Sequence, residues 1–398
     1  MSILSKIPIF DIDTHFTEPK DLWTSRAPAK YKERVMHVRR DASGQDSWFI
    51  EGHNVAPIGP GVVNRQGDKV PGLVNLSNYD EMSLAATETP DRLKLMDKMG
   101  VAKQIFYPNV VGFGANRLMD FSDDADLRLW HATTYNDVVA DIQKDSKGRI
   151  LPQAVLPLWD IKASTKELVR IREKLGLCGI AMSDRPQDFK QPPLADPAWN
   201  DFFSACQDLE VPVNFHIGSG SLDHQIETYW GDRVLFRKDG SLNGGLGSFI
   251  AVSNFLANFK DIINLILTGM CDRFPRLKFV SVESGAGWIP FIIKSLEYSF
   301  EDVLTREERA TFKAEPREYF KRQIYTSYWF ENARAVNTYI EEFGTDNLMI
   351  ETDFPHPQTL YPGLAQKIEE TLGTYDEETQ RKILYKNAEK VYGVKVAA

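Results

Sequence analysis

Phe10-Asp11-Ile12-Asp13-Thr14-His15 is the stretch whose reading decides the fold. In an extended strand successive side chains alternate faces, so Asp11, Asp13 and His15 point one way and Phe10, Ile12 and Thr14 the other. Two carboxylates and an imidazole on one face of an otherwise apolar strand are costly to bury unpaired. A divalent metal offsets that cost; a strand end with solvated polar residues is the bland alternative for the segment taken alone. Three more donors tip the balance, because His216, Glu283 and Asp353 each end another predicted strand.

Working outward, eight β-rich runs are read at 7–15, 103–109, 150–158, 178–184, 211–218, 277–284, 322–330 and 347–355, separated by helical sequence. Several runs are almost continuously apolar, the pattern of parallel strands buried on both faces. Eight such units predict an α/β fold, a (β/α)8 TIM barrel, with its active site at the C-terminal ends of the strands. Residues 16–87 break the rhythm and read as an insertion after strand one. Two β-rich runs there flank Asp41-Ala42-Ser43-Gly44, which predicts a hairpin. Residues 219–245, rich in Gly, Ser and Asp, read as a lid loop after strand five. The whole chain, 1–398, is thus read as one barrel domain. No GxGxxG follows strand one and no GxxxxGK[ST] occurs, so nucleotide binding has no positive support.

The totals bound the rest. The formal charge of −9 argues against nucleic acid or an anionic membrane as the main partner. Cys178, Cys206 and Cys271 are widely spaced, without CxxC, and read as reduced core thiols of a cytoplasmic protein. The first residues lack a signal-peptide pattern, and no uninterrupted apolar run approaches the ~20 residues of a membrane span.

His and carboxylate donors without thiolates suit a catalytic rather than a structural metal site. Asp13, His15, His216 and Asp353 are the candidate ligands of one divalent ion, Zn2+ by preference, with Mn2+ or Fe2+ as alternatives. Asp353, Glu283 and His216 are the candidate catalytic groups: Asp353 as ligand or base, Glu283 as ligand, proton shuttle or partner of His216. Asp11, deeper in the barrel, is expected to satisfy buried groups. Candidate substrate contacts are His356, Trp230, Tyr229, Trp23, His224 and Arg185. Each has a plain alternative, such as a turn hydrogen bond for His356, surface solvation for Arg185 or a staple for Trp23. His37, His53 and His131 read as structural.

Together the segments DIDTHFTEP, PVNFHIGSG, DRFPRLKFVSVESGAGWIPF, ETDFPHP and KILYKNAEKVYGV resemble the amidohydrolase superfamily. The likeness is to the branch containing aminocarboxymuconate-semialdehyde and γ-resorcylate decarboxylases, and it covers nearly the whole chain. The resemblance implies a single divalent metal. It places two first-strand ligands on Asp13 and His15, where the family has H-x-H or E-x-H, a third on His216 and a fourth on Asp353. At strand six the decarboxylases carry a catalytic His, and this chain carries Glu283. Binuclear members use a strand-four Lys that GIAMSD lacks.

The expected function is accordingly a mononuclear metal-dependent hydrolase of a small, carboxylate- or amide-bearing ring compound. Non-oxidative decarboxylation of an aromatic or unsaturated acid is the alternative, and a non-catalytic ligand-binding barrel is third. The resemblance implies a homodimer or higher homo-oligomer, with aromatic-rich helices such as 287–304 as the expected contacts.

Overall fold

The structure, a computed structural model, describes residues 3–115, 117–219, 223–235 and 242–396. Eight parallel strands form the core: β1 (Ile9–Asp11), β2 (Val101–Phe106), β3 (Ile150–Pro152), β4 (Ile180–Met182), β5 (Val213–His216), β6 (Phe279–Val282), β7 (Ile324–Tyr328) and β8 (Leu348–Ile350). Their hydrogen-bonded order is β3-β2-β1-β8-β7-β6-β5-β4. A parallel bridge between Ala154, just past β3, and Ile180 in β4 joins the two ends, so the sheet closes as a (β/α)8 barrel. All eight predicted strands are present, shorter than their apolar runs. The run outlasts the ladder because each strand continues into buried loop at the rim.

Local sequence sets the helix ends. Pro90 lies in the first turn of the helix Thr89–Met99, and Gly100 closes it at φ 71°. Asp124 caps Ala125–Asp145 by accepting from the amides of Asp126 and Leu127.

The insertion carries the predicted hairpin, His37–Arg40 against Asp46–Ile50, and a third antiparallel strand, His53–Pro57, that the sequence reading lacks. It docks on the barrel rim: Val62 N donates to Pro355 O (3.0 Å) and Lys69 Nζ to Thr359 O (2.7 Å).

The stretch 219–245 is not simply a loop, since Asp223–Trp230 is helical. Beyond it, Gly244–Leu267 is long and apolar enough by composition to cross a bilayer. The search for uninterrupted apolar runs misses it. Here it is two helices, Gly244–Phe255 and Phe259–Leu267. Between them Asn258 is pinned to the barrel, donating to Phe215 O (2.9 Å) and Ser281 Oγ (3.1 Å).

Candidate active site

The barrel's inner face changes character along its axis. Deep in the barrel Asp11 is fully engaged. Its Oδ1 accepts from Thr352 N (2.9 Å), and its Oδ2 accepts from Thr352 Oγ1 (2.6 Å) and Gln104 Nε2 (3.1 Å). Burial still lifts its carboxyl to about 6. Arg92 reaches in from Thr89–Met99, wholly buried, and donates to Ala85 O, His15 O, Thr14 Oγ1 and Gln104 Oε1. Its bond to the His15 carbonyl fixes the backbone where β1 runs out.

Two residues further along, the partners stop. Bridges from Thr14 to Phe354 and from His15 to Tyr107 extend the barrel past its strands. They bring Asp13 and His15 alongside Asp353, whose amide donates to Asp13 O (2.9 Å). His216 ends β5, and Glu283 follows β6 immediately. Glu283 and Asp353 both hold left-handed backbone, at φ 56° and 54°. This conformation is uncommon for residues with a Cβ and tends to gather at functional sites.

The five side chains converge. His15 Nε2 lies 3.7 Å from Asp13 Oδ1 and 3.5 Å from Asp353 Oδ1. His216 Nε2 lies 3.4 Å from Asp13 Oδ1 and 3.2 Å from Glu283 Oε2. Its Nδ1 donates to Ile217 O (2.7 Å), which leaves Nε2 as the acceptor facing inward. His216 is clamped by Phe113, stacked at 3.9 Å.

Both oxygens of Asp13, both of Asp353, both ring nitrogens of His15 and Nε2 of His216 are buried without a hydrogen-bond partner. More than 90% of buried polar atoms are normally paired, so these converging orphans are the mark of a cation site. One donor atom each from Asp13, His15, His216 and Glu283 lies within 4.8 Å of the others. The same holds for His15, Glu283, Asp353 and His356. The donor set fits a divalent ion.

The electrostatics agree. Burial, then Asp353 and Asp11, raise the Asp13 carboxyl well above its usual range. Burial, then Glu351 and Asp11, do the same to Asp353. Burial, then Asp353, raise Glu283. Burial, then His356 and His216, lower His15. A cluster that resists charging in both directions is one that a cation would stabilise.

The predicted substrate contacts separate. His356 joins the cluster, stacked on His15 with centroids 3.6 Å apart. Trp23 does not. It is wholly buried against Trp48 and donates from Nε1 to His131 O (3.1 Å), stapling the insertion to the helix Ala125–Asp145. Tyr229 and Trp230 pack on Phe249, outside the cavity walls, with Tyr229 73% exposed. Arg185 pairs with Asp188 at the surface (3.2 Å). The side chain of His224 lies outside the described residues.

Sequence reasoning missed Asn109, Glu18 and Glu351. Asn109 Oδ1 faces His356 Nε2 at 3.1 Å. Glu18 Oε1 accepts from the amides of Asn109 (2.7 Å) and Val110 (3.0 Å), holding that loop, and burial pushes its carboxyl up to about 7. Glu351 Oε2 accepts from Ser327 Oγ and from the amide of Glu283. The available signal was position: Asn109 closes predicted strand two, and Glu351 lies two residues before Asp353.

Above the cluster a cavity of about 460 Å³ opens between the insertion and the helix Gly244–Phe255. Glu283, Asp353 and His356 form its ionisable end.

The profile of the Amidohydrolase family matches residues 11–394. The chain belongs to that family. Among curated relatives of this amidohydrolase, γ-resorcylate decarboxylase of Rhizobium radiobacter is 27% identical over 277 residues, covering 66% of this chain and 76% of the relative. Among solved structures, an amidohydrolase of Mycobacterium avium subsp. paratuberculosis superposes with TM-score 0.71 at 20% identity, covering 98% of this chain and all of that one. A dihydroxybenzoic acid decarboxylase of Polaromonas sp., with bound manganese and 2-nitroresorcinol, superposes with TM-score 0.61 at 18% identity, covering 97% of each chain. The chain is an amidohydrolase-superfamily enzyme with a TIM-barrel fold.

Proposed function

We propose that this chain is a divalent-metal-dependent carboxy-lyase. Its substrate is a small carboxylic acid whose carboxyl sits on an aromatic ring or a double bond. This reverses the order expected from sequence, where hydrolysis stood first. The cavity carries the reading. Its walls are apolar, with Val70, Leu73, Val74, Ile217, Leu242 and Ile250, and among the described residues no Lys or Arg lines it. Loss of CO2 turns a charged carboxylate into a neutral leaving group, a change that apolar surroundings favour. The curated relative's decarboxylase name supports the same reading.

Asp13, His15, His216 and Asp353 would hold the ion. When bound, it supplies positive charge that orients the substrate's oxygens. The apolar walls align the ring and keep water from the reacting carbon. Glu283, on the cavity wall, is the proton carrier. The bond to the carboxyl carbon breaks, its electron pair stays on the ring or alkene carbon, and the Glu283 carboxyl proton forms the new C–H bond. Glu283 then reloads from solvent.

Hydrolysis keeps one observation in its favour, the carboxylate of Glu283 where the decarboxylases have His. The two readings divide on products. With Zn2+, Mn2+ or Fe2+ supplied, hydroxybenzoates and unsaturated acids should release CO2, and in D2O the product should carry one solvent deuterium. Uptake of 18O from water without CO2 would establish hydrolysis instead. Glu283→Gln should keep the metal and lose turnover.

A homodimer is the assembly we read from the helix Ile289–Asp302, which turns Phe291 and Tyr298, two turns apart, to solvent at 72% and 66% exposure. A monomeric mass by light scattering at micromolar concentration would contradict it.

A further inference from the structure

We propose that Glu351 is a positioning residue for Glu283: from the end of β8 its carboxyl reaches across β7 and grips the backbone of the turn that aims Glu283 at the cavity. The proposal rests on the reading of Glu283 as the proton carrier. It adds a residue that is neither among the candidate ligands nor on the cavity wall.

β6 pairs with β7 from Phe279–Ile324 to Ser281–Thr326, and there that ladder ends. Two residues later Glu283 turns to φ 56°. Gly285 follows at φ 71°, where a Cβ would lie 2.5 Å from Glu331 Oε1. A residue with a Cβ keeps left-handed backbone only where its surroundings over-determine it. The far side of the turn is held by Glu331, whose Oε1 accepts from the amides of Ala286 (2.5 Å) and Gly287 (3.1 Å). At Glu283 the amide has left the ladder with β7, and it donates to Glu351 Oε2 at 3.2 Å. Without that acceptor it would be a buried orphan.

Glu351 is furnished for this contact. Its side chain is wholly buried. Oε2 also accepts from Ser327 Oγ in β7, while Oε1 has no hydrogen-bond partner. The Glu351 amide donates to Tyr328 O (3.3 Å), which fixes the backbone from which the side chain projects. One carboxyl thus links the ends of β8, β7 and β6. With its backbone so held, Glu283 places Oε2 3.2 Å from His216 Nε2 and lines the cavity. Misplacing a reacting group by about 1 Å costs about 100-fold in rate.

The competing explanation is a structural tie between β7 and β8 through Ser327, with no effect on Glu283. Glu351→Met keeps the side chain's length without its oxygens, and Glu351→Gln keeps an acceptor oxygen. Glu351→Leu serves if the Met variant fails to fold. Two quantities are measured on the full, metal-loaded chain. One is kcat and KM for release of CO2 from a hydroxybenzoate, per metal-loaded chain. The other is hydrogen exchange of the Glu283 amide, read by mass spectrometry with residue-level fragmentation and referenced to the β6 strand amides, so that a general loss of stability cancels. In Glu351→Met, kcat should fall about 100-fold with KM changed less than about threefold. The Glu283 amide should exchange at least about tenfold faster relative to β6. Glu351→Gln should restore both to within about fivefold of wild type. Wild-type kcat in the folded Met or Leu variant, or unchanged relative exchange at Glu283, would overturn the positioning role. A wild-type chain that releases no CO2 from hydroxybenzoates or unsaturated acids would overturn the carboxy-lyase reading instead, and the exchange comparison would then decide the positioning role by itself.

Discussion

Two levels of the same barrel are equally buried and oppositely furnished. Deep in the barrel, Asp11, Gln104 and Thr352 are tied into one network, and Asn214 bonds to Gln153 Oε1 (2.8 Å), Ile180 O (3.0 Å) and the Tyr392 hydroxyl (2.8 Å). At the rim, one strand alternation away, Asp13, His15, His216 and Asp353 keep donor atoms with no partner. Both levels are inaccessible to water, so burial alone does not mark the functional end. The difference lies in whether the chain satisfies its own polar groups. For Asp11, Gln104, Thr352 and Asn214 it does, although Gln153 Nε2 beside them has no partner, and the result is rigidity. At the rim it does not, and the unmet valence is the binding site.

The comparison can be broken from either side. Asp11→Ala should be the most damaging change to folding. It removes a carboxylate with three strong donors and leaves Thr352 and Gln104 unpaired, so the loss should be about 3–5 kcal/mol in urea unfolding. A change below about 1 kcal/mol would show that the deep network is not structural.

His131 extends the paired class to the insertion, with a slightly smaller effect. Its Nε2 accepts from Met36 N (3.1 Å) and its Nδ1 donates to Leu127 O (2.8 Å), so both nitrogens are used by a neutral ring. Burial depresses its pKa to about 4. The unfolded chain takes up the proton below about 6.5 while the folded chain resists it. Stability is therefore complete above about 6.5 and falls as the pH drops towards 4, by up to about 3 kcal/mol from this residue. His131→Gln should flatten that part of the pH–stability curve; an unchanged slope would remove His131 as its source.

Asp13→Asn should have the smallest effect on folding, and the opposite sign. In metal-free protein it relieves repulsion among Asp13, Asp353 and Glu283, raising stability by about 1 kcal/mol while metal binding falls. Destabilisation of the metal-free form would place Asp13 with Asp11 rather than apart from it.

How much of this was legible in the sequence follows the same division. Period-two alternation placed Asp13 and His15 on one face, and the eight apolar runs placed His216, Glu283 and Asp353 at the same end of the barrel. Those signals are local. Arg92 was invisible because its helix looks like any amphipathic helix until it docks and sends one guanidinium beneath β1. Asn109 and Glu18 matter only because the insertion folds back on the rim. Trp23 was offered to the pocket because its loop follows β1, but its partners, Trp48 and His131, are brought to it only by tertiary packing. Tyr229 and Trp230 failed similarly, since their helix turns them towards Phe249. The apolar composition of 244–267 escaped a search for unbroken runs because small and polar residues interrupt the stretch.

The central claim is that the unpaired rim donors hold a divalent cation, and metal analysis of the purified chain tests it most directly. Dialysed protein resupplied with Zn2+ or Mn2+ should retain about one equivalent per chain, and His216→Ala, still folded by circular dichroism, should retain almost none. Less than about a tenth of an equivalent in the wild-type chain after resupply, or undiminished metal in His216→Ala, would contradict it.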